Sequence, residues 1–326
     1  GAQALAVVPV SGEPTVADAR AAVQAGRALA AEVVVAIGGG SPIDLAKATA
    51  ILLTNGDPMD HIEVVGRGLP FTAPPLPMVA VPTTAGTGAE VTANAVLTVP
   101  EHGVKASLRH AWMIPRHAVV DPELTMACPP AVTAAAGMDA LTQCLEPYVS
   151  RRANAMTDAW ARMGMIAAGR SLIDAHRNGY DLDARTDMAL CSLLGGLSLA
   201  NAKLGAVHGF AGVIGAMTAA PHGAICATLL GPVCAANLDR ADSRLTRRFA
   251  QIAACLTGRP EASADDGVHW IEHTCAVLEM PTLSAYGLSA ADAPEVVAKV
   301  VRASSTAGNP VELSAEELTE VFGSAL

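Results

Sequence analysis

Apolar positions recur along this chain with two different periods, and the change from one to the other divides it. Over the first third, short apolar runs alternate with polar loops. Leu5–Val10 and Glu32–Ile37 are short, rich in β-branched residues and bounded by turn residues, which predicts two buried strands. Between them Val16, Ala19, Ala22 and Val23 recur at helical spacing behind a cap at Thr15 or Ser11, predicting a helix to about Leu29. A helix opened by Pro42, with Asp44 in its first turn, follows the second strand. Further on, a strand is predicted at Met78–Val81, a hairpin from Asn94–Val99 and Val104–Arg109, and a last short strand at Ala118–Val120. From Pro129 the helical period takes over. Helices are predicted over 130–149, 154–176, 183–201, 203–215, 222–237, 241–256, 264–278, 290–303 and 314–325. The pattern therefore predicts an α/β domain over residues 1–125 and an all-helical domain over 126–326.

The most apolar stretch lies in the helical part. From Leu204 to Leu238 there is no Asp, Glu, Lys or Arg, yet the stretch contains His208 and His222. It is long enough to span a membrane. Gly, His, Asn, Thr and Pro221 interrupt it and no aromatic belt flanks it, so a pair of buried helices is expected instead, with no membrane partner. A buried imidazole without a partner costs roughly 1–3 kcal/mol. Either ordinary hydrogen bonds or a metal ion can supply that partner. Asp139 and Gln143, four residues apart, share one face of the helix that opens this domain. A carboxylate there with two imidazoles forms a ligand set suited to Fe(II) or Zn(II). Asp139 read alone is equally a carboxylate stabilised by a helix N-terminus.

Two loops suggest a second chemistry. Gly38, Gly39, Gly40 and Ser41 stand between a strand and a helix start, the arrangement that lets backbone N–H groups and the helix dipole meet a phosphate. It is also the arrangement of a plain tight turn. Pro82–Thr92, with Thr83, Thr84 and Thr87 among glycines, follows the next strand and is expected at the same sheet edge, where open α/β sheets bind ligands. Lys105 on the hairpin is either a solvated charge or a contact to cofactor phosphate or ribose.

Composition narrows the class. The net charge is −10 with acids and bases interspersed, which argues against a nucleic-acid partner. Aromatic residues make up only 3% of the chain, so Ala, Val, Leu and Gly must fill its cores. The seven cysteines show neither paired spacing nor CxxC, which predicts reduced thiols in a cytoplasmic protein. No basic leader precedes the first apolar run.

Several segments together resemble the iron-containing (group III) alcohol dehydrogenase family. GGGSPIDLAKA is similar to that family's phosphate-binding turn and PTTAGTGAEVT to its second cofactor loop. DPELT, PP and GMDALT resemble its interdomain passage, LGAVHGFAGVIG and PHGAICATLL its two histidine helices, and GNPVELS its usual ending. The resemblance implies a Rossmann-like parallel-sheet domain followed by a helical metal domain, the dehydroquinate synthase-like architecture. It places Asp139, His208 and His222, with Gln143, at metal-ligand positions. It also places Gly38, Gly39, Gly40, Ser41, Asp44, Thr83, Thr84, Thr87, Lys105 and Leu124 at or near dinucleotide-contacting positions. The implied reaction is hydride transfer between a small alcohol or aldehyde and NAD or NADP, with Fe(II) or Zn(II) polarising the substrate oxygen, in a homo-oligomer.

Three departures from the family pattern stand out. Gln143 occupies a position that usually holds His, and Gly212 another. The family also has a further strand and helix before the point where this chain starts, so the sheet is expected to lack its first strand. These departures leave rival expectations: a metal-independent reductase of the maleylacetate reductase type, favoured by Gln143, and a truncated chain that binds without turning over. A lyase of the dehydroquinate synthase type would need a strongly basic pocket, which the sequence does not show.

Overall fold

The computed structural model describes residues 4–326. The described chain divides into two compact units, one formed by residues 4–83 and 89–121, the other by residues 84–88 and 122–326.

In the first unit, α1 (Val16–Ala28) starts at Thr15, whose hydroxyl accepts from Asp18 N while Asp18 returns a bond to Thr15 N, and it buries Val16, Ala19, Ala22 and Val23. The strands β1 (Val34–Gly38), β2 (Met78–Pro82) and β5 (His117–Ala118) form a parallel sheet in the order β1-β2-β5. A separate antiparallel hairpin pairs β3 (Asn94–Val99) with β4 (Val104–Arg109), Asn94 opposite Arg109. Helix α2 (Gly40–Asn55) has apolar residues all round because both of its sides are covered. Ile43, Ala46 and Ala50 pack on Ala36, Met78 and Ala80 of the parallel sheet. Leu45, Ala48, Ile51 and Leu52 join a cluster with Ala95, Leu97 and Leu108 of the hairpin and with α1. The buried Lys47 ammonium donates to Thr92 Oγ1 at 2.8 Å and to the Asn94 carbonyl at 2.9 Å. A one-turn helix, α3 (Pro58–His61), follows α2.

Several expectations need correction here. Residues 5–10 form no strand: Leu5 and Val7 are 80% and 79% exposed. An apolar run has the propensity for a strand but needs a ladder partner, and hydrogen bonding to a strand begins only where Thr98 N donates to the Pro14 carbonyl. β1 is not buried on both faces either. Its Ala36 side meets α2, while Val35 and Ile37 are 54% and 68% exposed. The last strand is two residues, His117–Ala118, rather than Ala118–Val120. Helix α2 begins at Gly40, so Asp44 sits in its second turn.

The α-helices of the second unit are α4 (Pro130–Val149), α5 (Ala155–Arg177), α6 (Leu182–Ala202), α7 (Ala206–Met217), α8 (His222–Asp239), α9 (Ser243–Thr257), α10 (Ala264–Val277), α11 (Ala293–Val300) and α12 (Ala315–Ser324), and its described residues contain no strand. Nearly every residue of α4 from Gly137 to Val149 is buried, because α5, α6 and α8 surround it. The uncharged stretch divides at Thr218–Pro221 into α7 and α8, both largely buried. No single helix among the described residues is long and apolar enough to cross a membrane.

Gly223 sets how near the start of α8 comes to α4. A Cβ there would stand 2.1 Å from the Ala135 carbonyl oxygen and 3.3 Å from Asp139 Cβ. Gly223→Ala is therefore expected to lower unfolding stability by about 1–3 kcal/mol in urea titration. Gly212→Ala in α7, where a Cβ meets nothing within 4 Å, should leave stability unchanged or raise it by up to about 1 kcal/mol. Equal losses in the two variants would contradict the packing described.

Candidate active site

Helix α4 carries two charged residues, Asp139 and Glu146, seven positions apart and so on one face, with Gln143 between them. All three are buried. Glu146 is fully engaged. Its Oε1 accepts from Val207 N at 2.7 Å, at the start of α7, and its Oε2 receives His208 Nδ1 at 2.7 Å. The carboxylate thus serves a helix N-terminus that has no side-chain cap of its own and at the same time orients the imidazole. Ala206 N, beside it, donates to Asn309 Oδ1, and Asn309 is held in turn by its bonds to Asn237 Oδ1 and the Val311 carbonyl. With Nδ1 turned to Glu146, the other ring nitrogen of His208 faces Asp139, and Nε2 lies 3.3 Å from Asp139 Oδ1.

Asp139 is the opposite case. Its Oδ1 is buried and has no hydrogen-bond partner. His208 Nε2 at 3.3 Å and His222 Nε2 at 3.8 Å are near enough to attract it electrostatically, without an aligned hydrogen bond. His222 opens α8 immediately after Pro221, and its side chain is 38% exposed. One turn further along α8, buried Cys226 brings its Sγ to 3.9 Å from His208 Nε2. One donor atom from each of Asp139, His208, His222 and Cys226 lies within 4.8 Å of the others. Gln143 donates through Nε2 to the Gly86 carbonyl at 3.1 Å, and its Oε1 is buried without a partner.

These neighbours shift one another's titration. Burial alone would push the His208 imidazole down. The closeness of Cys226, Asp139 and Glu146 outweighs burial and raises it well above the ordinary histidine value. Burial would raise the Asp139 carboxyl, but the closeness of His208 and His222 outweighs it and lowers the group. A buried acceptor left bare beside two imidazoles and a thiol is the environment of a cation site, and O, N, N and S donors together suit a divalent transition ion.

The glycine and threonine loops leave the carboxyl ends of adjacent parallel strands. Gly38 stands opposite Pro82 in the β1–β2 register, and Thr83 N donates to the Gly38 carbonyl at 3.0 Å. Gly38 has φ +152°, and a Cβ there would lie 2.5 Å from Pro42 Cγ, so the turn needs glycine. Gly39 is the N-cap of α2, and Gly40 and Ser41 begin a first turn with no side-chain cap. Thr84 is half-buried and Thr87 exposed. Asp44 turns away from the loop: its Oδ2 accepts from Val96 N at 3.0 Å and its Oδ1 lies 3.6 Å from Lys47 Nζ. Lys105 Nζ pairs with Glu13 at 2.5 Å. Leu124, in the turn Pro122–Thr125, is 41% exposed and belongs to the second unit.

Sequence reasoning missed two members of the cluster. Glu146 could have been found as the other charge of an otherwise uncharged helix, on the Asp139 face. Cys226 could have been found as a ligand-type side chain one turn after His222.

Comparison with known proteins agrees with this geometry. Residues 2–122 match the family model described as iron-containing alcohol dehydrogenase, and residues 133–326 match that of the Fe-containing alcohol dehydrogenase family, C-terminal. Alcohol dehydrogenase 4 of Saccharomyces cerevisiae is 33% identical over 313 residues, 96% of this chain and 80% of the relative. The crystal structure of a 1,3-propanediol oxidoreductase superposes with a TM-score of 0.88 at 34% identity, covering 96% of this chain and 82% of that one. A sulfoacetaldehyde reductase from Bifidobacterium kashiwanohense, solved with NAD+, superposes at 0.86 with 30% identity, covering 96% of this chain and 81% of that one. The chain is an oxidoreductase of the alcohol dehydrogenase type and belongs to the iron-containing alcohol dehydrogenase family.

Proposed function

We propose that the chain transfers a hydride between a small primary or secondary alcohol and NAD or NADP, with one Fe(II) or Zn(II) ion held by Asp139, His208 and His222. The observation that carries this reading is Asp139 Oδ1, buried without a hydrogen-bond donor between two imidazoles. A bare buried acceptor costs about 1–3 kcal/mol, and a divalent ion removes that cost. Glu146 fixes His208 with Nδ1 as donor, which leaves the Nε2 lone pair for the ion. Gln143, held by the Gly86 carbonyl, offers a neutral amide oxygen one turn along α4. When bound, the ion supplies Lewis acidity that polarises the substrate oxygen.

The exposed edge of His222 would give the hydroxyl proton of the alcohol a path to water, and a bound NAD or NADP would supply the acceptor for its carbon-bound hydrogen as hydride. The cofactor pyrophosphate is assigned to the uncapped first turn of α2, at Gly38, Gly39, Gly40 and Ser41, with Thr83 bonded to the Gly38 carbonyl and Thr84 and Thr87 following it in the chain. Asp44 ties α2 to β3 through Val96 N, and Lys105 pairs with Glu13. The 1,3-propanediol oxidoreductase and sulfoacetaldehyde reductase among the similar structures favour a short substrate.

The test is removal of the ion. Alcohol-dependent reduction of NAD or NADP should vanish after chelation and return with Fe(II) or Zn(II). Undiminished turnover in chelated protein would instead support a metal-independent reductase. His222→Ala is expected to lose most bound metal by elemental analysis and most activity. Glu146→Gln should bind metal about 10–100-fold more weakly, because the ring it orients is freed.

A further inference from the structure

We infer that Cys226 Sγ, as a thiolate, is a fourth protein ligand of the ion proposed above, giving this site an O, N, N, S donor set. The inference rests on the metal reading of the previous subsection and goes beyond it. Three observations converge on the sulfur. Cys226 lies one turn after His222 on α8, so both side chains leave the same face of one helix. Its Sγ is 3.9 Å from His208 Nε2, and it belongs to a set of four donor atoms that lie within 4.8 Å of one another. Asp139, whose buried Oδ1 has no hydrogen-bond partner, belongs to the same set.

The distances are those of a site one small adjustment from closure. Tetrahedral zinc with ordinary bond lengths separates its N and O donors by about 3.3 Å and its S and N donors by about 3.6 Å. The measured separations are 3.3 Å for His208–Asp139, 3.8 Å for His222–Asp139 and 3.9 Å for Cys226–His208. Shifts of a few tenths of an ångström bring these separations into range, and the other donor pairs lie within 4.8 Å.

The surrounding stretch, Leu204 to Leu238, contains no Asp, Glu, Lys or Arg, so the charge of the ion is met by the ligand set itself and by Glu146 behind His208. Binding proceeds by exchange, the Cys226 proton leaving to solvent as the S–metal bond forms. Elsewhere, buried Cys144 sits against Cys191, and burial pushes the thiol of half-buried Cys275 up to about 12. Gln143, whose amide is committed to Gly86, stands where the family resemblance places an imidazole, so the thiolate supplies from α8 the strong ligand that α4 lacks.

A soft sulfur ligand shifts preference toward thiophilic ions such as Zn(II), Co(II) and Cd(II). Stripped full-length protein titrated with Co(II) should show visible absorption of low-coordinate cobalt together with a near-ultraviolet thiolate-to-cobalt charge-transfer band. Cys226→Ser should keep the visible absorption, lose the charge-transfer band and bind Zn(II) at least about tenfold more weakly, since even losing an outer partner of a ligand costs that much. Cys128→Ser should change neither. Gln143→His in the Cys226→Ser background should recover affinity without recovering the band. If the unaltered protein shows the visible cobalt absorption and no charge-transfer band, the sulfur is not a ligand, while the metal reading stands. If it takes up no cobalt at all, both readings are overturned.

Discussion

One oxygen atom organises the helical unit. Asp139 Oδ1 lies in a helix whose neighbours are apolar on almost every side, and no hydrogen bond reaches it. A chain selected only for stability would replace such a carboxylate with a methyl group, because an unpaired buried charge is among the costliest features of an interior. The surroundings instead concentrate electron-pair donors around it. The start of α8 approaches α4 at a glycine, His222 is placed at the first position of α8, and His208 reaches in from α7. Each arrangement makes sense if a positive ion completes the group.

The two carboxylates of α4 divide the work. Glu146 has both oxygens satisfied, one by the α7 N-terminus and one by His208, and it behaves as part of the scaffold. The Asn237–Asn309 pair braces the same helix end. This shell makes His208 rigid before any ligand arrives, and rigidity is what makes a two-histidine site selective. Asp139, two turns earlier on the same face, is left bare. Satisfied structural groups beside an unsatisfied functional one show how a stable domain keeps one reactive position within a well-packed core.

Legibility in the sequence followed the physics of each element. The helices from α4 to α12 were readable because an amphipathic or fully apolar period persists over many residues, and the β3–β4 hairpin because alternation and turn residues agree. The run Leu5–Val10 was misread because strand propensity carries no information about a pairing partner, and it remains exposed. The same blindness made β1 look buried on both faces, when α2 covers only its Ala36 side. Asp44, Val96 and Lys47 meet through tertiary packing, so the tie between α2 and β3 was invisible to spacing. At the site, Asp139, His208 and His222 were legible as polar side chains in apolar surroundings. Cys226 was not, because a cysteine in such a stretch looks the same as the small apolar residues beside it. Glu146 was hidden by its ordinariness as one acid among 31 acidic residues.

The central claim is that this carboxylate and these two imidazoles share one ion. An anomalous difference map, recorded at the absorption edge of zinc or iron on crystals grown with that metal, tests it most directly. The account predicts one strong peak about 2.0–2.2 Å from Asp139 Oδ1 and from the Nε2 atoms of His208 and His222. A map with no peak there, or with its peak at other residues while Asp139 Oδ1 stays bare, would contradict it.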